Sequence, residues 1–141
     1  MFTDRIELIF DSGHRLLKYT GKCESPHGHT FKAEIMFTSD SIDKMGFVLD
    51  FVELRDTIGA WVEHNWDHAF LLNDQDEELL QALNSLKNKK IFTFKNENPT
   101  AEVIAKYLYN HVKPIYGNLV SKVRIWESPH QYAEYFEGDR E

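Results

Sequence analysis

His14 and the run Cys23-Glu-Ser-Pro-His27-Gly-His29 gather three of the chain's seven histidines and its only cysteine between positions 14 and 29. Catalytic zinc is commonly held by three protein ligands, imidazoles among them, with a fourth position open to water or substrate. His27 and His29 suit that task because residues two apart on a strand project from the same face. Gly28 between them lets backbone or ligand approach closely. His14 lies 13 residues before His27, at the end of an apolar run, and an antiparallel return of the chain would carry it to the same metal. Each residue also has an ordinary reading. An isolated histidine is more often a surface or core side chain, and a single cysteine packs as a small buried hydrophobe. Spacing alone leaves both readings open.

The elements that would position these groups follow from periodicity. Arg5-Ile-Glu-Leu-Ile-Phe10 is short, apolar and β-prone, and it ends in the turn or bulge signal Asp11-Ser-Gly13, so it reads as a first strand delivering His14. Arg15 to Pro26 reads as a loop around Cys23, and Thr30 to Phe37 alternates as a second strand that starts at the His-Gly-His run. Ser39 to Gly46 carries turn chemistry, and Phe47-Val-Leu49 follows as a short extended piece. Asp50, with Glu53 three residues on, opens a helix whose stripe Phe51, Leu54, Ile58 and Trp61 runs to about Trp66. Its aromatic residues read as core. Asp67 and His68 leave that helix as an adjacent acid and imidazole. Asp76 to Leu86 holds four leucines on one face, predicting a short extra helix, and Ile91 to Phe94 is a brief strand. Pro99 and Thr100 start the second main helix, which Gly117-Asn118 stops; His111 lies on its apolar stripe and reads as packed. Val120 to Trp126 and Tyr132 to Phe136 are the last strands. The order ββααββ, with embellishments, favours an α+β sheet with helices on one face.

Composition narrows the function classes. A chain of 141 residues reads as one domain, 1–141, and its 42% hydrophobic content makes it globular. A formal charge of -7 argues against general nucleic-acid binding, which needs clustered Lys and Arg. One cysteine cannot form an internal disulfide framework, and no signal-peptide or membrane-length apolar stretch is present. A soluble cytoplasmic protein is the expectation.

Six segments in order then resemble the 6-pyruvoyl-tetrahydropterin synthase and 6-carboxytetrahydropterin synthase family. They are Phe10-x-x-x-His14, Cys23-x-x-x-His27-Gly-His29, Gly46-Phe-Val-Leu-Asp50-Phe, Asp67-His68 with Leu72-Asn73, Asn98-Pro-Thr-Ala-Glu102 and Trp126-Glu127-Ser. The resemblance implies the tunnelling fold, in which ββααββ subunits with an antiparallel sheet join into a β-barrel around a threefold axis. It further implies that two trimers stack into a homohexamer with active sites between subunits. It implies 7,8-dihydroneopterin triphosphate as substrate and Zn2+ on His14, His27 and His29. Cys23 would be the general base, and Asp67 and His68, from a neighbouring subunit, a proton relay. Glu127 would anchor the pterin by paired hydrogen bonds. Thr100 matches a segment lining the same pocket. Without the resemblance, Asp67 and Glu102 read as a loop cap and a first-turn helix acid. Arg15, Lys18 and Lys22 are candidates for the triphosphate by proximity in sequence.

Two departures bear on the product. Three residues between Cys23 and His27 resemble the carboxytetrahydropterin synthases of queuosine biosynthesis, whereas Glu24 creates Glu-x-x-His-Gly-His, which resembles a branch forming 6-hydroxymethyl-dihydropterin for folate. The pyruvoyl activity is a further alternative, and a non-catalytic zinc- or pterin-binding relative is the rival from another class. Cys23, Asp67, His68 and Glu127 together argue against that rival, since a binder needs neither base nor relay. Ser12-Gly13 stands where the family usually carries two alanines, and Gly13 is expected to loosen the strand. The segment Asp74 to Leu86 is longer than in compact relatives, covering a sheet edge or rimming the site.

Overall fold

The computed structural model describes residues 1–18 and 24–138. Strands β1 (Phe2–His14) and β2 (His27–Ser39) pair antiparallel in unbroken register from Phe2↔Ser39 to His14↔His27. Both outrun the apolar segments from which they were expected, because pairing continues through the polar ends; the Thr30 hydroxyl donates to the Asp11 carboxylate across the ladder at 2.6 Å. The Asp11-Ser-Gly13 turn signal is therefore strand.

β5 (Val120–Ser128) and β6 (Gln131–Tyr135) extend this sheet antiparallel on one side. On the other side β3 (Ala69–Asn73) joins β1 in parallel, and β4 (Ile91–Phe94) joins β3 in parallel, giving the order β4-β3-β1-β2-β5-β6. The sheet is thus mixed, which corrects the expectation of a wholly antiparallel one. Parallel neighbours require a crossover connection. The extra helix α3 (Glu77–Asn84) supplies it between β3 and β4. β3 escaped the sequence reading because Ala-Phe-Leu-Leu is a continuous apolar run without alternation.

The first main helix is built from α1 (Phe51–Leu54), a π-helical stretch Arg55–Gly59 and α2 (Ala60–Asn65), with the Asp50 carboxylate accepting from the Val52 N–H at 2.8 Å. Wider π turns shift which positions face inward. Leu54, Ile58, Val62 and Trp66 are buried, while Phe51, expected on the stripe, is exposed. Phe47-Val-Leu49 forms no strand, and Val48 and Leu49 are bends. The second main helix, α4 (Ala101–Tyr116), matches its expected span.

Alternation divides the sheet's two faces. Ile6 and Phe10 of β1, Phe31 to Phe37 at odd positions of β2, and Val123 and Ile125 of β5 join Leu54, Ile58, Ile104 and Leu108 of the helices in one buried core. The opposite face carries charge: Glu34, 1% exposed, accepts from the Trp126 indole N–H at 2.8 Å and lies within 3.4 to 3.6 Å of cationic nitrogens of Arg5, Lys32 and Arg124. A smaller cluster of Leu72, Leu79 and Leu83 seats α3. Among the described residues no helix is long and apolar enough to cross a membrane.

Candidate metal centre and active site

The three histidines converge because of strand register. His14 stands directly opposite His27, and His29 opposite Ser12, so His29 is the diagonal neighbour of His14 on the core-side face. Ring centroids lie 4.7 Å apart for His14 and His27, and 5.0 Å apart for His29 and either partner. Phe31 meets the rings of His14 and His29 edge-on, forming an apolar floor. Gly28 does what its size allows: a Cβ there would stand 3.1 Å from the Ser12 carbonyl oxygen.

Hydrogen bonds fix two tautomers. The Nδ1–H of His14 donates to the Pro99 carbonyl at 2.8 Å, and that of His27 to the Ser25 carbonyl at 2.7 Å. A carbonyl can only accept, so each ring's proton sits on Nδ1 and each Nε2 presents a lone pair. These Nε2 atoms face each other at 3.2 Å. Two lone pairs at that distance repel unless a cation lies between them. Zinc with nitrogen ligands at ~2.0–2.1 Å in a tetrahedron would put adjacent nitrogens about 3.3–3.4 Å apart. One ligand atom from each of the three rings lies within 4.8 Å of the others. Burial holds His14 below the ordinary histidine pKa, outweighing the opposing bond to Pro99, and burial does the same for His29 against the pull of Glu127. Both rings are thereby kept neutral, as ligands must be. The donor set fits a metal ion.

Glu127, on the core-side face of β5, reaches this cluster: its Oε2 stands 4.0 Å from the His29 Nε2. It also lines a small cleft of about 170 Å³ with Ala101, Glu102, Gln131 and Tyr132. Thr100 is the N-cap of α4, accepting from the Val103 N–H at 3.2 Å. Its neighbour Pro99, read from the sequence only as a helix start and part of a family segment, makes the direct contact with the His14 imidazole. Only a backbone carbonyl is involved, so no side-chain chemistry could have flagged it.

Asp67 and His68 form a second unit, and His68 lines an open cleft of about 480 Å³ together with His29. Asp67 accepts from the Asp11 N–H at 2.9 Å with one oxygen and from the His68 Nδ1–H at 2.8 Å with the other. The Asp11 hydrogen bond is the main cause of an Asp67 pKa below the usual carboxylate range. Asp67 therefore orients the imidazole next to it. His68 has φ 60° and a side chain 78% exposed, so its imidazole points outward. Glu24 is exposed and faces a groove lined by Arg15, Lys18 and Asp76. Arg15 is bound by Asp76 and Glu78, which leaves it occupied rather than free for a triphosphate. Cys23 and Lys22 lie outside the described residues.

The family model for 6-pyruvoyl tetrahydropterin synthase matches residues 5–138. A 6-carboxy-5,6,7,8-tetrahydropterin synthase of Rickettsia felis is 37% identical, covering 94% of this chain and 96% of its own. One of Haemophilus influenzae is 34% identical, covering 97% and 100%. Among solved structures, the 6-pyruvoyl tetrahydropterin synthase of Caenorhabditis elegans superposes with a TM-score of 0.71 at 23% identity, over 97% of this chain and 96% of that one, a likeness of fold. The chain belongs to the 6-pyruvoyl tetrahydropterin synthase family.

Proposed function

We propose that the protein is a zinc-dependent lyase that converts 7,8-dihydroneopterin triphosphate to 6-carboxy-5,6,7,8-tetrahydropterin. The observation that carries this reading is the pair of facing Nε2 lone pairs on His14 and His27, with His29 beside them and a carboxylate on the same face. Relatives bearing the carboxytetrahydropterin synthase name over nearly the whole chain support the product. His14, His27 and His29 would hold the zinc, which when bound supplies Lewis acidity toward oxygen atoms of the substrate side chain.

The remaining work falls to the chain's own groups. Glu127 accepts two parallel hydrogen bonds from a pterin ring N–H and its exocyclic amino group, fixing orientation as well as affinity. Cys23 takes the proton as a thiolate, by its match to the family pattern four residues before His27. Asp67 fixes His68 with its proton on Nδ1, leaving Nε2 free to accept one and stabilising the resulting cation. The outward aim of His68 supports a homohexamer, a dimer of trimers closing into barrels, in which the relay pair of one subunit serves a neighbour's metal centre. A cytoplasmic location fits the single cysteine.

Glu24, beside Cys23 in a Glu-x-x-His-Gly-His pattern, sustains 6-hydroxymethyl-dihydropterin formation as a second reading. Chromatography of the products from zinc-loaded protein and dihydroneopterin triphosphate separates the two. Carboxytetrahydropterin with acetaldehyde supports the first, and 6-hydroxymethyl-dihydropterin the second. Unchanged pterin with no triphosphate released would sink both.

A further inference from the structure

The segment that follows the first histidine is gripped by side chains that the chemistry above does not use. Asn98 holds both backbone groups of Leu17: the Leu17 N–H donates to Asn98 Oδ1 at 2.9 Å, and Asn98 Nδ2 donates to the Leu17 carbonyl at 3.0 Å. The buried Asn73, at the end of β3, donates to the same Asn98 oxygen at 3.2 Å. Closer to the histidine, Asp76 binds Arg15 through both carboxylate oxygens, one of them 2.6 Å from Nε, while capping α3 at the Leu79 N–H. Its side chain is 1% exposed.

These contacts close a circuit around His14. The imidazole donates to the Pro99 carbonyl, Pro99 is bonded to Asn98, Asn98 grips Leu17, and Leu17 leads back along the chain to His14. The direction of the His14 Nε2 lone pair depends on where the Pro99 carbonyl sits. That carbonyl is tied, through the Asn98 side chain, to the turn that follows β1.

We propose that Asn98 is a positioning residue for the metal centre, and that the β3–α3 arm serves the same end by holding Asn98 through Asn73 and Arg15 through Asp76. This inference rests on the reading of His14, His27 and His29 as metal ligands. It gives the long Asp74–Leu86 segment a place: its anchored end rims the site rather than covering a distant sheet edge.

The test is zinc affinity, measured by competition with a chromophoric chelator, alongside thermal unfolding of each metal-free protein and the visible spectrum of its cobalt form. Asn98→Ala removes the grip. Asn98→Asp keeps the acceptor and sets a carboxylate against the Leu17 carbonyl, so it serves should the alanine variant fail to fold. Val120→Ala, in the main core at the end of β5 far from the histidines, lowers stability without touching the circuit or the arm, and His14→Ala removes a ligand. Loss of an outer partner typically weakens metal binding ~10–100-fold. That loss is expected for Asn98→Ala and in the same direction for Asn98→Asp, with an altered cobalt spectrum, while Val120→Ala unfolds earlier yet keeps wild-type affinity. The inference is overturned if both Asn98 variants bind zinc as tightly as wild type, or if Val120→Ala weakens binding equally. Wild-type affinity in His14→Ala would instead overturn the metal reading itself.

Discussion

The ring of Phe70 fills the space in which residue 13 would carry a side chain: a Cβ on Gly13 would stand 2.7 Å from Phe70 Cε1 and 2.8 Å from Cζ. Gly13 and Phe70 are register partners in the β1–β3 pair. Rather than loosening the strand that carries His14, the glycine admits an aromatic ring against it. Gly13→Ala should destabilise the protein by ~1–3 kcal/mol through overpacking, less up to about 1 kcal/mol from removing a glycine from a strand. Urea unfolding of the single and double variants checks the cause, since the cost should shrink in a Phe70→Ala background. An equal cost in both backgrounds would mean that the ring is not what the new methyl meets.

Glu34 gives a second expectation. Its carboxylate is buried on the sheet face away from the helices, among Arg5, Lys32 and Arg124, and takes the Trp126 indole N–H. Removing one partner of a buried ionic group typically costs ~3–5 kcal/mol, and partial exposure of Arg5 and Lys32 reduces that to roughly 2–4 for Glu34→Ala. Glu34→Gln, which keeps an acceptor for the indole, should cost less. The midpoint of denaturant unfolding and the emission maximum of the tryptophans report the two effects together.

Acid should weaken the fold partly through Asp76. Burial opposes ionisation of this carboxyl, but the hydrogen bonds from Arg15 and the Leu79 N–H outweigh it and hold the pKa below the usual aspartate range. A depressed folded pKa contributes stability that is present above the unfolded value of ~3.9 and is lost as pH falls through the lower folded value. Asp76→Asn should therefore cost ~1–3 kcal/mol near neutrality, below the range for a fully buried pair because Arg15 keeps Glu78. In pH-dependent unfolding, the gap between wild type and variant should stay level down to about pH 5 and narrow below about pH 4. A gap that narrows between pH 7 and 6 would place the effect on another group.

Glu127 tests the substrate side of the site. Exchange to Gln keeps size but replaces one acceptor oxygen with a donor, and a hydrogen bond to a charged group is worth ~1.5–3 kcal/mol. Steady-state kinetics with dihydroneopterin triphosphate should show KM raised about 10- to 100-fold, with zinc content unchanged. Loss of zinc from this variant would mean that Glu127 supports the metal cluster instead.

Sequence patterning made much of this site legible, because a strand pair obeys simple geometry. Two histidines at alternate positions and a third at the end of the preceding strand needed only an antiparallel return, and the His14↔His27 register supplies it. The helix spans were readable from caps such as Asp50 and Thr100. Three features were not readable. β3 hid in a run without alternation, so its parallel pairing with β1 was unforeseen. The π stretch Arg55–Gly59 breaks the helix that the pattern presented as continuous; Val62 and Trp66 join Leu54 and Ile58 in the core with Trp61 packed against it, while Phe51 stays exposed. Pro99 and Asn98 act through a carbonyl and a grip on backbone, contacts between segments more than 80 positions apart in sequence.

The most direct measurement is a metal titration of turnover. Protein stripped by a chelator is mixed with dihydroneopterin triphosphate, zinc is added in steps, and triphosphate release and pterin product are followed for wild type and His27→Ala. Wild type should be inert when stripped and regain full turnover at one zinc per chain. His27→Ala, missing a ligand rather than an outer partner, should need more than about 100-fold more zinc or stay inactive. Full turnover by stripped wild-type protein, or a wild-type titration curve for His27→Ala, would contradict a metal centre on His14, His27 and His29.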